Sequence, residues 1–291
     1  MPDSRIPYDL SDQHPSLRPL DGKPLMVHVV VNVEVWDFNE PMPRQLLSSP
    51  HGKQALPDVP NFSWVDYGMR AGLPRILRSL EQRQLPASAS FNAGVVDAYP
   101  QAAAAIRDAG WEFIGHGYRQ RSLHAEPDES EAIRATLDRI QEFTGSRPRG
   151  WLGPGTQETY ETPDKLTAAG IEYTLDWSVD DRPLWMTTQH GPLLAIPYTL
   201  EINDSVLWAM HHYSSSEMYD RVVSTLETFQ TELQSEPRIL TLGLHPHLIG
   251  VPHRFGYLER ILDLLLGRDD SIFLTGSQVL EWFREQEPAV R

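Results

Sequence analysis

Short apolar runs alternate with amphipathic stretches of helical period along most of the chain. Residues 26–33 are almost continuously apolar and β-branched, the pattern of a strand covered on both faces. Residues 73–83 place Leu73, Ile76, Leu77 and Leu80 on one helical face. Strands are then predicted at 87–92, 111–115, 150–152, 171–175, 193–197, 239–244 and 271–274. Helices are predicted at 99–109, 130–144, 162–169, 218–233, 255–266 and 277–286, several closed by a glycine at the C-terminal stop. Seven or eight strand–helix units with mostly short connections predict an α/β fold with a parallel sheet, rolled into a closed or nearly closed barrel. No break in composition demands a second domain. Residues 1–24 are polar and proline-rich and read as an extended arm over the body or over a neighbouring subunit, with residues 25–291 forming the barrel domain. Residues 36–64 hold Pro41, Pro43, Pro50, Pro57 and Pro60 and read as an irregular lid or pocket wall.

Polar chemistry gathers where the predicted strands end, which is the rim at which an α/β barrel builds its site. The run 239–244 delivers His245 and His247 on either side of Pro246, the placement of acid/base groups at the mouth of a sheet. Asn32 and Glu34 leave the first strand two residues apart and so share a face. Trp36 follows as a candidate pocket residue. His116 stands between Gly115 and Gly117, where the backbone permits close approach to a ligand, and Gln120 follows. Trp151 among glycines suits a pocket wall, although a core tryptophan before a turn has the same pattern. Asp180 and Asp181 could orient an imidazole or bind substrate N–H groups, or Asp181 could cap a turn beside Pro183. Asn203 and Asp204 could recognise an amide or form an Asx turn.

Charge and composition narrow the partners. The 291 residues carry 40 acidic against 25 basic side chains, a net charge of −15, which argues against a nucleic-acid partner or an anionic membrane surface. A small-molecule substrate is the expected partner. Cysteine is absent, which excludes disulfides, a thiolate nucleophile and a cysteine zinc site. No apolar segment near residue 1 resembles a signal peptide, so the cytoplasm is the expected location.

Five short motifs in order resemble the polysaccharide deacetylase (NodB-like) superfamily, and within it the allantoinase-like (PuuE-type) branch. They are Tyr67-Gly68-Met69-Arg70, Gly150-Trp151, Asp180-Asp181, Pro197-Tyr198-Thr199-Leu200 with Asn203-Asp204, and Gly243-Leu244-His245. The resemblance implies a distorted (β/α) barrel of about seven strands and hydrolysis of a carbon–nitrogen bond in a small cyclic amide, imide or ureide. Metal-dependent members carry an Asp pair on the first strand and a His-x-x-x-His pair after the third. Here those places read Asn32-Val33-Glu34 and His116-Gly117-Tyr118-Arg119-Gln120. No resident metal or other cofactor is therefore expected, with zinc the alternative.

The expected catalytic groups are Glu34 or His116 as base and His245 as general acid or oxyanion stabiliser, with Asp180 or Asp181 orienting or charging it. Asn32, Trp36, Gln120, Trp151, Asn203 and His247 are the expected substrate contacts, and Met42, Arg44, His51 and Trp64 the expected source of specificity. Two other readings stay open: a metal-dependent carbohydrate or peptidoglycan N- or O-deacetylase, and an inactive ligand-binding member. The resemblance also implies a homo-oligomer, dimer or tetramer.

Overall fold

The strand with the longest apolar run is paired with neighbours on both of its edges. In the computed structural model, which describes residues 4–49, 52 and 55–287, that strand is buried at every position. The elements follow as β1 (Leu25–Val33), α1 (Val59–Tyr67), α2 (Leu73–Gln82), β2 (Ser88–Phe91), α3 (Val95–Ala98), α4 (Pro100–Asp108), β3 (Glu112–Gly115), α5 (Glu129–Thr144), β4 (Gly150–Trp151), α6 (Thr162–Ala168), β5 (Tyr173–Thr174), β6 (Leu184–Thr188), β7 (Gly191–Ala195), α7 (Glu217–Glu232), β8 (Arg238–Leu244), α8 (Pro252–Leu266), β9 (Ser271–Leu274) and α9 (Gly276–Gln286). Pro50 and His51 lie outside the described residues.

Among the described residues the strands run in the order β6-β7-β5-β4-β3-β2-β1-β8, with β9 also paired to β1. Every pairing is parallel except β6 with β7. The outer edge of β8 meets the segment after β7. There Thr241 Oγ1 donates to Pro197 O at 2.6 Å, and Asn203 bridges to Gly243. This seam curls the sheet into a distorted (β/α) barrel, and its parallel strands bring their C-terminal ends to one rim.

Two elements depart from the periodicity. α1 starts inside the stretch read as irregular. Asp58 accepts from the Asn61 backbone N–H at 3.4 Å and Pro60 occupies the first turn, both start signals for a helix. The apolar residues of α1 are not gathered on one face, so the helical period gave no sign of it. β6 turns back on β7 as a hairpin, which a strand–helix alternation does not anticipate. The arm, as far as it is described, lies over this chain's own body: Ile6 and Leu17 are buried, and Arg5 pairs with Asp164 at 2.7 Å.

Trp151 is fully buried in a cluster with Leu137, Leu166 and Leu193. A Cβ added at Gly115 would stand 2.7 Å from its ring. It is core, contrary to the pocket-wall expectation. Its replacement by alanine is expected to cost about 3–5 kcal/mol of unfolding free energy, read from urea melts. A loss under 1 kcal/mol would return it to the surface of the pocket.

Candidate active site

β1, β3 and β8 end at the same rim, so the residues just beyond them meet. Glu34 Oε1 is 3.7 Å from His116 Nε2 and 3.6 Å from His245 Nε2. All three side chains are buried. The far nitrogen of each ring is held. His116 Nδ1 donates to the Leu152 carbonyl at 2.6 Å, and His245 Nδ1 donates to Asp204 Oδ1 at 2.6 Å. Both acceptors fix the tautomer and leave Nε2 turned towards Glu34.

Asp204 is fully buried, and its second oxygen accepts from the backbone N–H groups of His245, at 2.7 Å, and Ile249, at 3.2 Å. One carboxylate thus sets the ring and the backbone of the loop that carries it. Burial alone would push the Glu34 carboxyl up. The charge of His245 and the nearby His116 and Arg44 outweigh it and hold Glu34 below the usual carboxylate range.

The loop after β8 is seated by close backbone contact. α1 and α2 are joined through a π-helical turn, Gly68–Gly72, an irregularity that recurs at functional sites. A Cβ at Gly68 would lie 2.4 Å from the His247 backbone nitrogen, and one at Gly72 would lie 2.0 Å from Pro246 O. Only glycine at both places lets the histidine loop lie against the helix. Arg75 holds the far end by donating to Gly250 O at 2.7 Å.

A cavity of about 440 Å³ opens beside these groups and is lined by Asn32, Glu34, Arg44, His116, Gln120 and His245, with Tyr198 and Asn203. The other expected contacts fall elsewhere. Trp36 and His247 line a second space of about 10 Å³, room for one small molecule such as water, which shares Asn32 and Glu34 with the cavity. His247 packs edge-on against Trp64 at 4.8 Å, and burial pushes its imidazole down to about 3. Neither Trp36 nor His247 lines the larger cavity. Asn203 Oδ1 accepts from Ser205 N–H at 3.0 Å, which is the Asx turn, although the residue also lines the cavity.

Asp180 and Asp181 are not brought to the site. Asp180 Oδ1 accepts from Ser11 Oγ at 2.9 Å and from the backbone N–H groups of Asp181 and Arg182. Asp181 O accepts from Ile239 N at the start of β8. Six residues of strand separate Ile239 from His245, roughly 20 Å. Both aspartates line a larger groove of about 1010 Å³ between the arm and α7, which holds no histidine. The group that orients His245 is Asp204. The signal for it was the Asn-Asp pair after Pro197, which an amide-recognition reading had claimed.

A catalytic zinc wants three carboxylate, imidazole or thiolate donors converging at about 2.0–2.3 Å. Among the described residues no group of three or more His, Cys, Asp or Glu side chains is placed to hold a metal ion. Asn32, where metal-dependent members carry aspartate, already donates to Tyr198 Oη at 2.8 Å and to Leu244 O at 3.2 Å. The donor set does not fit a tightly held zinc.

Comparison with known proteins places this architecture. Residues 62–174 match the family model described as Polysaccharide deacetylase. A Schizosaccharomyces pombe protein described as a polysaccharide deacetylase is 26% identical over 245 residues, 78% of this chain and 77% of its own. The crystal structure of PuuE allantoinase superposes with a TM-score of 0.87 at 24% identity, covering 100% of this chain and 99% of that one. A structure from Pseudomonas aeruginosa described as a polysaccharide deacetylase gives 0.84 at 25% identity, covering 98% and 100%. The chain is thus similar to polysaccharide deacetylases in sequence over residues 62–174 and in fold over nearly its whole length. No helix among the described residues is long and apolar enough to cross a membrane.

Proposed function

We propose that the cavity hydrolyses a carbon–nitrogen bond in a small cyclic amide, imide or ureide, without a resident metal. The observation that carries this reading is one carboxylate, Glu34, faced by two imidazoles whose outer nitrogens are already committed. Glu34, held below the usual carboxylate range, is a poor resting place for a proton and a good counter-charge. His245 lies between two carboxylates, Asp204 and Glu34. His116 lies between Glu34 and a neutral carbonyl. His116 Nε2 takes the proton of the attacking water. His245 Nε2 gives its proton to the nitrogen that leaves the carbonyl carbon. The likeness in fold to an allantoinase supports a ring substrate, and a cavity of about 440 Å³ suits one.

The test is a turnover screen of ureides, hydantoins, dihydropyrimidines and imides, run beside N-acetylated sugars and peptidoglycan fragments, with and without a strong chelator. Ring opening that is unchanged by chelation is expected. Deacetylation that disappears on chelation and returns with zinc would replace this reading by that of a metal-dependent N- or O-deacetylase. Ligand binding with no turnover of any compound would identify an inactive binding member.

A further inference from the structure

Two of the polar side chains that line the cavity without a part in the proton transfers are Arg44 and Gln120. Arg44 comes from the loop after β1 and Gln120 from the turn after β3. Arg44 Nη1 and Gln120 Oε1 are both buried and have no hydrogen-bond partner within the protein. One is an obligate donor and the other an acceptor. Each stands on pinned backbone. Asn61, itself buried, accepts from Leu47 N–H at 3.0 Å and donates to Leu47 O at 2.9 Å, fixing the loop three residues beyond Arg44. Gln120 N–H donates to Val35 O at 3.0 Å, and the neighbouring Arg119 pairs with Asp37 at 2.7 Å. The Gln120 segment is therefore tied to the exit of the strand that leads into Glu34, and the Arg44 loop is tied to α1.

A donor and an acceptor offered together suit a partner that presents a carbonyl and an N–H on one edge. A trans amide, such as the acetamido group of a sugar, turns its N–H and C=O to opposite sides, and an open secondary amide is almost always trans. A small ring forces the amide cis and turns both groups to the same side. We propose that Arg44 and Gln120 read the cis-amide edge of a ring substrate, Arg44 donating to the carbonyl oxygen and Gln120 accepting from the adjacent N–H. The substrate class is then narrowed to imide and ureide rings, in which an N–H lies between two carbonyls. One carbonyl is read, and the other is left for water. The inference rests on the ring-amide reading for the reaction but concerns recognition alone.

Calorimetric titration of His245→Ala protein measures binding without turnover. The probes are hydantoin, 5-ureidohydantoin, dihydrouracil and succinimide, each paired with the analogue methylated on the imide nitrogen. Methylation is expected to weaken binding about tenfold to a hundredfold for the ring that fits. In the added presence of Gln120→Leu the gap closes to within about threefold, while Arg44→Leu weakens the parent and the methylated ring alike. Equal binding of parent and methylated rings, a gap that persists without Gln120, or failure of every parent ring to bind overturns the proposal. Because the methylated ligand probes the site in the absence of any change at Arg44 or Gln120, the test survives a variant that folds poorly. Discriminating binding without turnover by the unmodified protein rejects the hydrolase reading and keeps this one. Turnover of parent and methylated rings with similar kcat/KM does the reverse.

Discussion

Replacing His245 by alanine is expected to lower kcat by about three to four orders of magnitude while the protein stays folded. His245 Nε2 faces Glu34 in the cavity, and Nδ1 is committed to Asp204, so no other group supplies a proton from that side. Asp204→Asn is expected to lose about two to four orders, because an amide can present its NH₂ to the ring and turn the imidazole to the wrong tautomer. Asp204 keeps two backbone partners when the ring is removed, His245 N–H and Ile249 N–H, which is why the fold should survive. Asp180→Asn and Asp181→Asn serve as controls and should leave kcat within about twofold. The decisive comparison is steady-state kinetics beside circular dichroism on the same preparations. A folded His245→Ala protein with near-normal turnover would remove His245 from the mechanism, and a large loss in Asp180→Asn would move the site to the other groove.

The second large effect is on stability in acid. His28 and His247 are both buried, and burial pushes each imidazole down from 6.5 to about 3. Their folded-state values are depressed, so between about pH 6.5 and pH 3 the unfolded chain binds protons that the native one refuses. Stability therefore rises with pH across that window and is lost as pH falls, by at most about 1.4 kcal/mol per pH unit for each ring. The buried carboxyls of Asp176 and Glu158 act with the opposite sign. Burial pushes both up and Glu158 raises Asp176 further, so the native state holds protons there that the unfolded chain releases as pH rises.

The parent protein mixes these slopes, so the comparison of variants isolates one ring. His28 Nε2 bonds only to Ser88 Oγ, at 2.9 Å, and Ser88 keeps its bond to Glu112 Oε2, at 2.7 Å, when the ring is lost. His28→Leu should therefore flatten the dependence of unfolding free energy on pH between 6 and 4 by about 1 kcal/mol per unit, measured by urea melts at each pH. Parallel curves for parent and variant would show that His28 titrates normally and is not excluded from water.

Much of the architecture was legible because it depends on local pattern. The apolar run at 26–33 and the run before His245 could be placed by burial on both faces, and glycine stops set the helix ends. Trp151 shows the limit of that logic. Glycines around an aromatic side chain fit a ligand wall and a tight core equally well, and only the approach of Trp151 to Gly115 settles it. The two aspartates at 180 and 181 failed for a different reason. Their segment precedes the β6–β7 hairpin, which reverses the chain, and the assumption that every strand ends at the same rim does not hold across it.

The sequence by itself determined which residues end the parallel strands and hence that Glu34, His116 and His245 come to one rim, since strand direction and side-chain alternation are local properties repeated along a parallel sheet. Only the tertiary structure decided which carboxylate stands behind His245. Asp204 and His245 are 41 residues apart, and their contact depends on the seam between β8 and the segment after β7. It also decided that Arg44 and Gln120 share a cavity, because a loop's path is set by the surface it packs on and leaves no period in the sequence to read.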